Sequence, residues 1–189
     1  LKKLKPDYDH LLESHTQLHR DLMSRVSLSL DAPEEERNLP TEELIALADS
    51  SDSNHAMTEL AFDAGRYNII CSTGLLPPNL QGIWSAIWLA NWSGSFTTNG
   101  NLECAVAFNL MGNTPELMDA YFRFYDARWD QFRENARLFK GTRGFHVPAQ
   151  LTVSPRSTNF TARHPHCFWH SGAAWACQFY FDYFQYTGD

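Results

Sequence analysis

The sequence predicts a mainly α-helical fold, arranged either as a helix bundle or as part of an α/α toroid. Apolar residues recur at helical spacing through most of the chain, and capping signals mark several helix starts. Between the predicted helices lie two long segments, 72–100 and 140–168. Bundles connect their helices by short turns, so these long loops favour the toroid, in which paired helices ring a central pocket.

The start of the chain is predicted to contain one helix and one short strand. Residues 7–24 carry a single apolar stripe with Asp7 as candidate N-cap, which predicts an amphipathic helix. Strict alternation over 26–30 predicts a short strand. The acidic run within 31–38 is typical of a solvated loop.

Further helices are predicted where apolar periodicity lies between start and stop signals. Thr41 is the expected N-cap of the second helix, and Gly112 the expected C-cap of a buried one. Thr114, Pro115 and Glu116 form a restart signal, with a cap, a proline at the first helical position and an acid in the first turn. The predicted helices span 41–49, 55–71, 101–111, 115–139 and 171–186, with an extended segment over 145–153.

Composition and charge exclude several classes of protein. Of 189 residues, 43% are hydrophobic and 20% are charged, which is typical of a globular chain. The formal net charge of -7 disfavours nucleic acid and anionic membranes as partners, because both bind basic faces. The sequence has no apolar run of membrane-spanning length and no glycine-rich phosphate loop. We therefore expect no nucleic-acid partner, no membrane partner and no cofactor.

The cysteine and histidine patterns predict no metal site. The cysteines lack a Cys-x-x-Cys spacing and are expected to be small buried residues, although a disulfide stays open. His166 and His170 have the spacing of a helical metal pair, but no second pair of ligands lies nearby. The cysteines are Cys71, Cys104, Cys167 and Cys177.

Residues 77–109 hold the side chains best suited to a neutral ligand. Trp84, Trp88 and Trp92 recur at spacing four, but the prolines and glycines around them favour an ordered loop over a helix. An indole packs against the C–H face of a sugar ring, and an amide both donates and accepts hydrogen bonds. The segment thus predicts binding of a hydroxyl-rich ligand such as a sugar. Its amides are Asn79, Gln81, Asn91, Asn99 and Asn101.

Carboxyl groups are scarce in the same segment. Glycoside hydrolysis normally uses two of them, one on each side of the scissile bond. Only Glu103 lies in the segment, and Glu116 and Asp119 follow in the next predicted helix. Glu103 falls in a predicted buried helix, so it is either a paired acid of the core or a catalytic group. The residues alone leave the mechanism open.

Several motifs resemble glycoside hydrolase family 95 in order and spacing. The most specific is Leu-Pro-Pro-Asn-Leu-Gln-Gly-Ile-Trp at 76–84. Residues 8–30 are similar to the segment that joins the family's N-terminal β-domain to its helical catalytic domain. The other matching motifs lie at 63–67, 97–102, 172–178 and 186–189.

The resemblance implies part of an (α/α)6 toroid of the six-hairpin glycosidase type, with a short N-terminal linker helix and strand. It assigns residues 1–54 to linker helices that follow a β-domain, and 55–189 to the first half of the catalytic domain. The family removes terminal α-L-fucose, or in some members α-L-galactose, with inversion. An oligosaccharide substrate and a secreted or periplasmic location are implied as well.

By motif, the family's water-holding asparagine pair is Asn99 and Asn101. A neutral amide is a poor base, so it can act only by orienting water and by hydrogen-bonded coupling to a carboxylate. The family's general acid and supporting aspartate would lie beyond residue 189, so the isolated chain is expected to be inactive. The substrate-binding residues implied are Gln81, Trp84, Trp92, Thr97, Arg143, His146, Trp169 and His170.

The chain departs from the family pattern around the expected site. Residues 104–109 replace a Met-Asn-Tyr-Trp type run, and 145–152 replace a loop of the His-His-Asn-Thr type. His170 stands where a Pro or Met usually adjoins the tryptophan. Thr97 occupies a position where some fucosidases carry His and L-galactose-preferring members carry Thr. The alternatives are an α-L-galactosidase, a non-catalytic sugar-binding relative, and a structural domain whose loop tryptophans are buried.

Overall fold

The computed structural model shows two compact units, Leu1–Ile70 and Cys71–Asp189. Helices are the main regular elements of both units, as the sequence predicts. Within the part of the chain that is described, no helix is both long and apolar enough to cross a membrane. The residues that the structure describes are 7–51, 53–85, 87–154 and 169–189.

Most of the helices and both strands are short. Only two strands occur in the described ranges, and each has two residues. The helices are α1 Tyr8–Met23, α2 Glu34–Arg37, α3 Thr41–Asp49, α4 His55–Ser72, α5 Asn101–Val106, α6 Met118–Asp126, α7 Trp129–Asn135 and α8 Gly172–Thr187. The strands are β1 Phe96–Thr97 and β2 Gln150–Leu151.

In the first unit, the caps of the two long helices come from side chains. The Asp7 carboxylate accepts the backbone N–H of Asp9 at 3.2 Å, which confirms the predicted start of α1. The Asn54 side chain accepts the N–H of Met57 at 2.7 Å at the start of α4. Thr41 is wrong as the cap of α3, because Pro40 holds the extended cap conformation and Thr41 is the first helical residue.

The strand predicted over 26–30 is wrong, since these residues are irregular. An alternating segment needs a neighbouring strand for its backbone hydrogen bonds, and this one is held by a side chain instead. The N–H of Leu30 donates to Glu59 Oε1 at 2.6 Å, and Arg37 Nε donates to Glu59 Oε2 at 2.8 Å. The predicted loop over 31–38 contains α2, and its Ala32 packs with a small core.

The second unit opens with the long loop that the sequence predicts. The loop contains a 3-10 turn at Asn91–Gly94 and ends in β1. β1 pairs antiparallel with β2, so that Phe96 lies opposite Leu151 and Thr97 opposite Gln150. The segment predicted as extended over 145–153 therefore supplies the partner strand.

The helix predicted over 101–111 ends early, at Val106. The Asn109 carbonyl accepts both the N–H of Thr114, at 2.9 Å, and its Oγ1–H, at 3.1 Å, which turns the chain away from the helix axis. Asn113, with φ +54°, takes the left-handed conformation that was expected of Gly112.

The helix predicted over 115–139 is interrupted. It forms a 3-10 turn at Pro115–Leu117, then α6 and α7, then a π-helical turn at Ala136–Lys140 that ends at the left-handed Gly141. Arg128 lies at the α6–α7 break, where its guanidinium donates to the Phe124 and Val153 carbonyls at 2.7 and 2.9 Å. These bonds give two nitrogens of a buried cation carbonyl partners, whereas no described residue hydrogen-bonds to its Nε.

The core of the second unit is built on the predicted apolar face of α6 and α7. Tyr121, Phe124 and Phe132 are almost fully buried, and Phe96 packs on Phe124 with ring centroids 4.5 Å apart. From α8, Phe179 packs edge-on against Tyr121 at 5.4 Å. Residues of β1 and α5 pack into this core, and these two elements flank the candidate site.

The expectation of buried cysteines is wrong for two of the four. Cys104 and Cys177 are exposed on α5 and α8, and Cys71 is partly buried; all three are free thiols. Each exposed cysteine directly follows a buried residue, so helical geometry turns it outward. Cys167 and His166 lie outside the described residues.

Candidate active site

A cavity of about 240 Å³ lies beside the end of the long loop and β2. It is smaller than the roughly 300–1,000 Å³ of typical ligand pockets, so it suits a small ligand. None of its lining side chains is charged. The lining residues are Leu80, Trp92, Thr97, Asn99, Asn101, Ala149 and Gln150.

Asn99 and Asn101 flank a glycine turn at the rim of the cavity. Both asparagines are exposed, and Gly100 between them has φ +142°, a conformation that residues with a Cβ rarely adopt. The Gly100 carbonyl accepts the N–H of Cys104 at 2.8 Å, the first bond of α5. The turn therefore presents two amides to one cavity, one before the helix and one at its first position.

Two threonines connect this turn to the other wall. Thr98 is completely buried, and its N–H donates to the Ala149 carbonyl at 2.9 Å while its hydroxyl donates to the Pro148 carbonyl. Thr97 is buried too, but no described residue hydrogen-bonds to its Oγ1. Thr97 is one of the residues that line the cavity, although its Oγ1 atom is itself buried.

Trp92 forms another part of the lining and has an unusual backbone. Trp92 and Ser93 both lie in the left-handed region, with φ +57° and +58°. Such conformations are uncommon for residues other than glycine and cluster at ligand-binding positions. The Trp92 indole is 63% exposed, so one face is free to pack on a ligand.

Gln81 and Trp84 shape the loop and do not line the cavity. Gln81 Nε2 donates to the Asn91 carbonyl at 2.7 Å, which ties two interior positions of the loop together. The Trp84 ring lies on Gly82, where an added Cβ would come within 2.8 Å of it. Trp84 is 49% exposed and Trp88 100%, so the loop tryptophans are not core residues, contrary to the structural-domain alternative.

The other four predicted substrate-binding residues also fall outside the cavity lining. Arg143 and His170 are exposed, whereas Trp169 is partly buried and packs edge-on against Trp175 at 6.0 Å. His146 is buried, and its backbone N–H donates to the Phe132 carbonyl at 2.9 Å.

The His146 ring stacks on Phe139 with centroids 5.4 Å apart. Burial, with Lys140 and His170 nearby, lowers the pKa of His146 below that of an ordinary histidine. No described residue hydrogen-bonds to its Nε2. The imidazole is therefore neutral near pH 7 and suited to a hydrogen bond, as a donor or an acceptor.

Glu103 is the one acid within two residues of the asparagine pair, and it lies behind the turn. It is 2% exposed and is not part of the cavity lining. Burial raises its pKa to about 7, and hydrogen bonds from Gly100 and Tyr125 partly oppose that rise. Among the described residues, no group of three or more His, Cys, Asp or Glu is arranged to hold a metal ion.

The family model of the glycosyl hydrolase family 95 catalytic domain matches residues 7–189. The chain belongs to this family. Probable alpha-fucosidase A of Aspergillus niger is 33% identical over 144 residues, 73% of this chain and 18% of the relative. Alpha-L-fucosidase 2 of Arabidopsis thaliana is 27% identical over 192 residues, 98% of this chain and 22% of the relative. The chain thus spans about a fifth of the length of these relatives.

In this family 95 chain, the predicted site residues divide into two groups. Asn99, Asn101, Thr97 and Trp92 come together around one cavity, whereas the other predicted residues do not line it. The difference follows from the chain path, since β1 and the glycine turn bring the first group together within ten residues.

Sequence reasoning missed Leu80, Ala149 and Gln150 in the lining. Gln150 lies opposite Thr97 only through the pairing of β1 with β2. A two-residue strand gives no periodic signal from which that register could be read. The departure of 145–152 from the family pattern was a signal that this segment belongs to the site, but it did not single out a residue.

Proposed function

We propose that this chain is part of an inverting exo-glycosidase that removes terminal α-L-fucosyl residues from oligosaccharides. Membership of family 95 and the names of its fucosidase relatives support this activity. The observation that carries the proposal is the pair of exposed amides, Asn99 and Asn101, at the rim of one small cavity.

In this mechanism, the two amides hold the attacking water. Each amide has an oxygen that accepts and an NH2 group that donates, so a water between them is oriented by both. A neutral amide does not remove a proton at neutral pH, so the proton must pass to a carboxylate linked to the pair. An inverting enzyme also needs an acid on the leaving oxygen, with the two carboxyl groups about 6.5–9.5 Å apart.

No carboxylate lines the cavity in the described part of the chain. Glu103 is buried behind the turn, which makes it unsuitable as the donor to a leaving oxygen. We propose that the acid and the base of the reaction lie outside this chain, as the resemblance to family 95 implies.

An α-L-galactosidase of the same family is a second candidate, supported by Thr97. L-Galactose carries a hydroxyl at C6 that L-fucose lacks. Thr97 lines the cavity, and its buried Oγ1 has no hydrogen-bond partner among the described residues. A site that hydrogen-bonds an extra hydroxyl discriminates against the sugar that lacks it.

Substitution of the asparagines in the full-length protein tests the proposal. Asn99→Ala and Asn101→Ala should each lower kcat on an α-L-fucoside by about 100- to 1,000-fold, the scale of losing one preorganised polar group. Asn38→Ala, an exposed asparagine in the first unit, serves as the control and should keep wild-type turnover.

Proton NMR of the first-formed sugar provides the second measurement. Inversion of an α-L-fucoside releases the β-anomer first, before mutarotation. Wild-type turnover by either asparagine variant contradicts the water-holding role, and release of the α-anomer contradicts inversion.

A further inference from the structure

A buried carboxyl group supports the asparagine turn from behind. Glu103 Oε2 accepts the backbone N–H of Gly100 at 3.1 Å, and Gly100 is the residue between Asn99 and Asn101. Glu103 Oε1 accepts the phenol O–H of Tyr125 at 3.2 Å. Each carboxyl oxygen therefore has a donor, one from the turn and one from α6.

The partner of Glu103 is itself firmly placed in the core. Tyr125 is buried, and its ring lies 4.8 Å from that of Tyr121. The Tyr121 O–H donates to the Ala176 carbonyl of α8 at 3.2 Å. The contacts link α8, α6 and α5 to the glycine turn in one continuous buried series.

Glu103 also has a structural role, because it is the N3 residue of α5 and its bond to the Gly100 N–H is the capping-box contact at the start of that helix. A buried carboxyl loses its hydration, and an apolar residue of similar size is often neutral or stabilising in its place. The raised pKa of Glu103 records that cost. A carboxyl does offer what leucine lacks, which is an acceptor aimed at the N–H of Gly100.

We propose that Glu103 is a positioning residue, which holds the turn formed by Asn99, Gly100 and Asn101 in its water-binding geometry. It acts through Gly100 and does not touch the substrate. Tyr125 fixes the carboxyl by occupying its other oxygen. This inference rests on the proposed function, because it assumes that the two amides hold the attacking water.

The consequence for kinetics is specific. Loss of the Gly100 contact lets the turn shift, and a displacement of about 1 Å in a catalytic group costs about 100-fold in rate. The described hydrogen bonds of the Glu103 carboxyl go to Gly100 and Tyr125 and not to Trp92 or Thr97 of the cavity wall, so substrate binding should change little. The effect should therefore appear in kcat and leave KM nearly constant.

Three variants of the full-length protein test this role. Glu103→Leu removes the acceptor and should lower kcat by about 100-fold with KM unchanged. Glu103→Gln keeps an oxygen that accepts the Gly100 N–H, so its kcat should recover to within about 10-fold of wild type. Tyr125→Phe should lower kcat by about 2- to 10-fold, the effect of one hydrogen bond.

Circular dichroism and thermal unfolding of each variant correct kcat for the folded fraction. Three outcomes overturn the inference: wild-type kcat in Glu103→Leu, equal losses in the Leu and Gln variants, or a loss fully explained by unfolded protein. If Glu103→Leu does not fold, Tyr125→Phe decides, and wild-type kcat there overturns the inference.

Asn99→Ala is measured in the same series. If Asn99→Ala keeps its turnover, the proposed function fails whatever Glu103 does. If it loses turnover while Glu103→Leu keeps it, only the positioning role fails.

Discussion

At the scale of single residues, Thr97 has the environment of a ligand contact. Its backbone is fixed in β1 opposite Gln150, the residue lines the cavity, and its buried hydroxyl has no described partner. Buried hydroxyl groups normally have a hydrogen-bond partner, so we propose that a bound sugar supplies the partner of Thr97.

Thr97→Val in the full-length protein should separate two sugars. If the hydroxyl binds O6 of L-galactose, kcat/KM for an α-L-galactoside should fall by about 10-fold. The value for the α-L-fucoside, which has no O6, should change by less than about 2-fold. Paired assays with the two chromogenic glycosides measure the ratio, with Thr152→Val, outside the cavity lining, as control. An equal change for both sugars contradicts this role.

The site residues differ in how far the sequence could predict them. Thr97, Asn99 and Asn101 lie in one family motif and Trp92 lies five residues before it, so their common cavity could be anticipated. Gln150 could not, because its place depends on strand pairing over a distance of about fifty residues.

At the scale of elements, local signals predicted the bounds of several helices closely, with or without a side-chain cap. The Asp7 cap of α1 fixed its start, and α4 and α8 lie within two residues of their predicted bounds. Tertiary contacts overrode the local pattern elsewhere. The long helix predicted over 115–139 breaks where Arg128 reaches the nearby Phe124 carbonyl and the Val153 carbonyl, which lies 25 residues further along the chain.

Glu59 joins the segment before α2 to α4 and should make stability depend on pH. The hydrogen bonds from Arg37 and from the N–H of Leu30 lower its pKa from 4.5 to about 2. The Glu59 carboxyl therefore binds a proton more readily in the unfolded chain than in the folded one. The contribution of ionised Glu59 to the free energy of unfolding is complete above pH 4.5 and is lost as the pH falls toward 2.

Urea unfolding between pH 2 and pH 5 measures that dependence. Arg37→Ala removes the main partner of Glu59, so the free energy of unfolding should vary less with pH in this variant. Arg20→Ala on α1 is the control and should keep the wild-type slope. An unchanged slope in Arg37→Ala would show that the ion pair does not set the Glu59 pKa.

At the scale of the whole molecule, the chain is a family 95 member that spans about a fifth of its relatives' length. Its described cavity holds amides, a hydroxyl and an indole, which are binding and water-orienting groups. It holds no group that could donate a proton to a leaving oxygen.

A protein of residues 1–189 alone should therefore not hydrolyse α-L-fucosides, whereas the full-length protein should. Release of a chromogenic leaving group measures both under the same conditions. Circular dichroism provides the control, since the comparison requires that the short protein keep its helices. Turnover by the folded short protein would mean that its acid lies within this chain.

Gly100 has a consequence for anyone who wishes to change the sugar preference of the site by directed evolution. Its φ of +142° strains any side chain, even though an added Cβ would meet only Trp175, at 3.8 Å. The codon for residue 100 should stay fixed in a library, while those for Thr97 and Gln150 are randomised. Variants at these two positions would alter the cavity wall and leave the amide geometry in place.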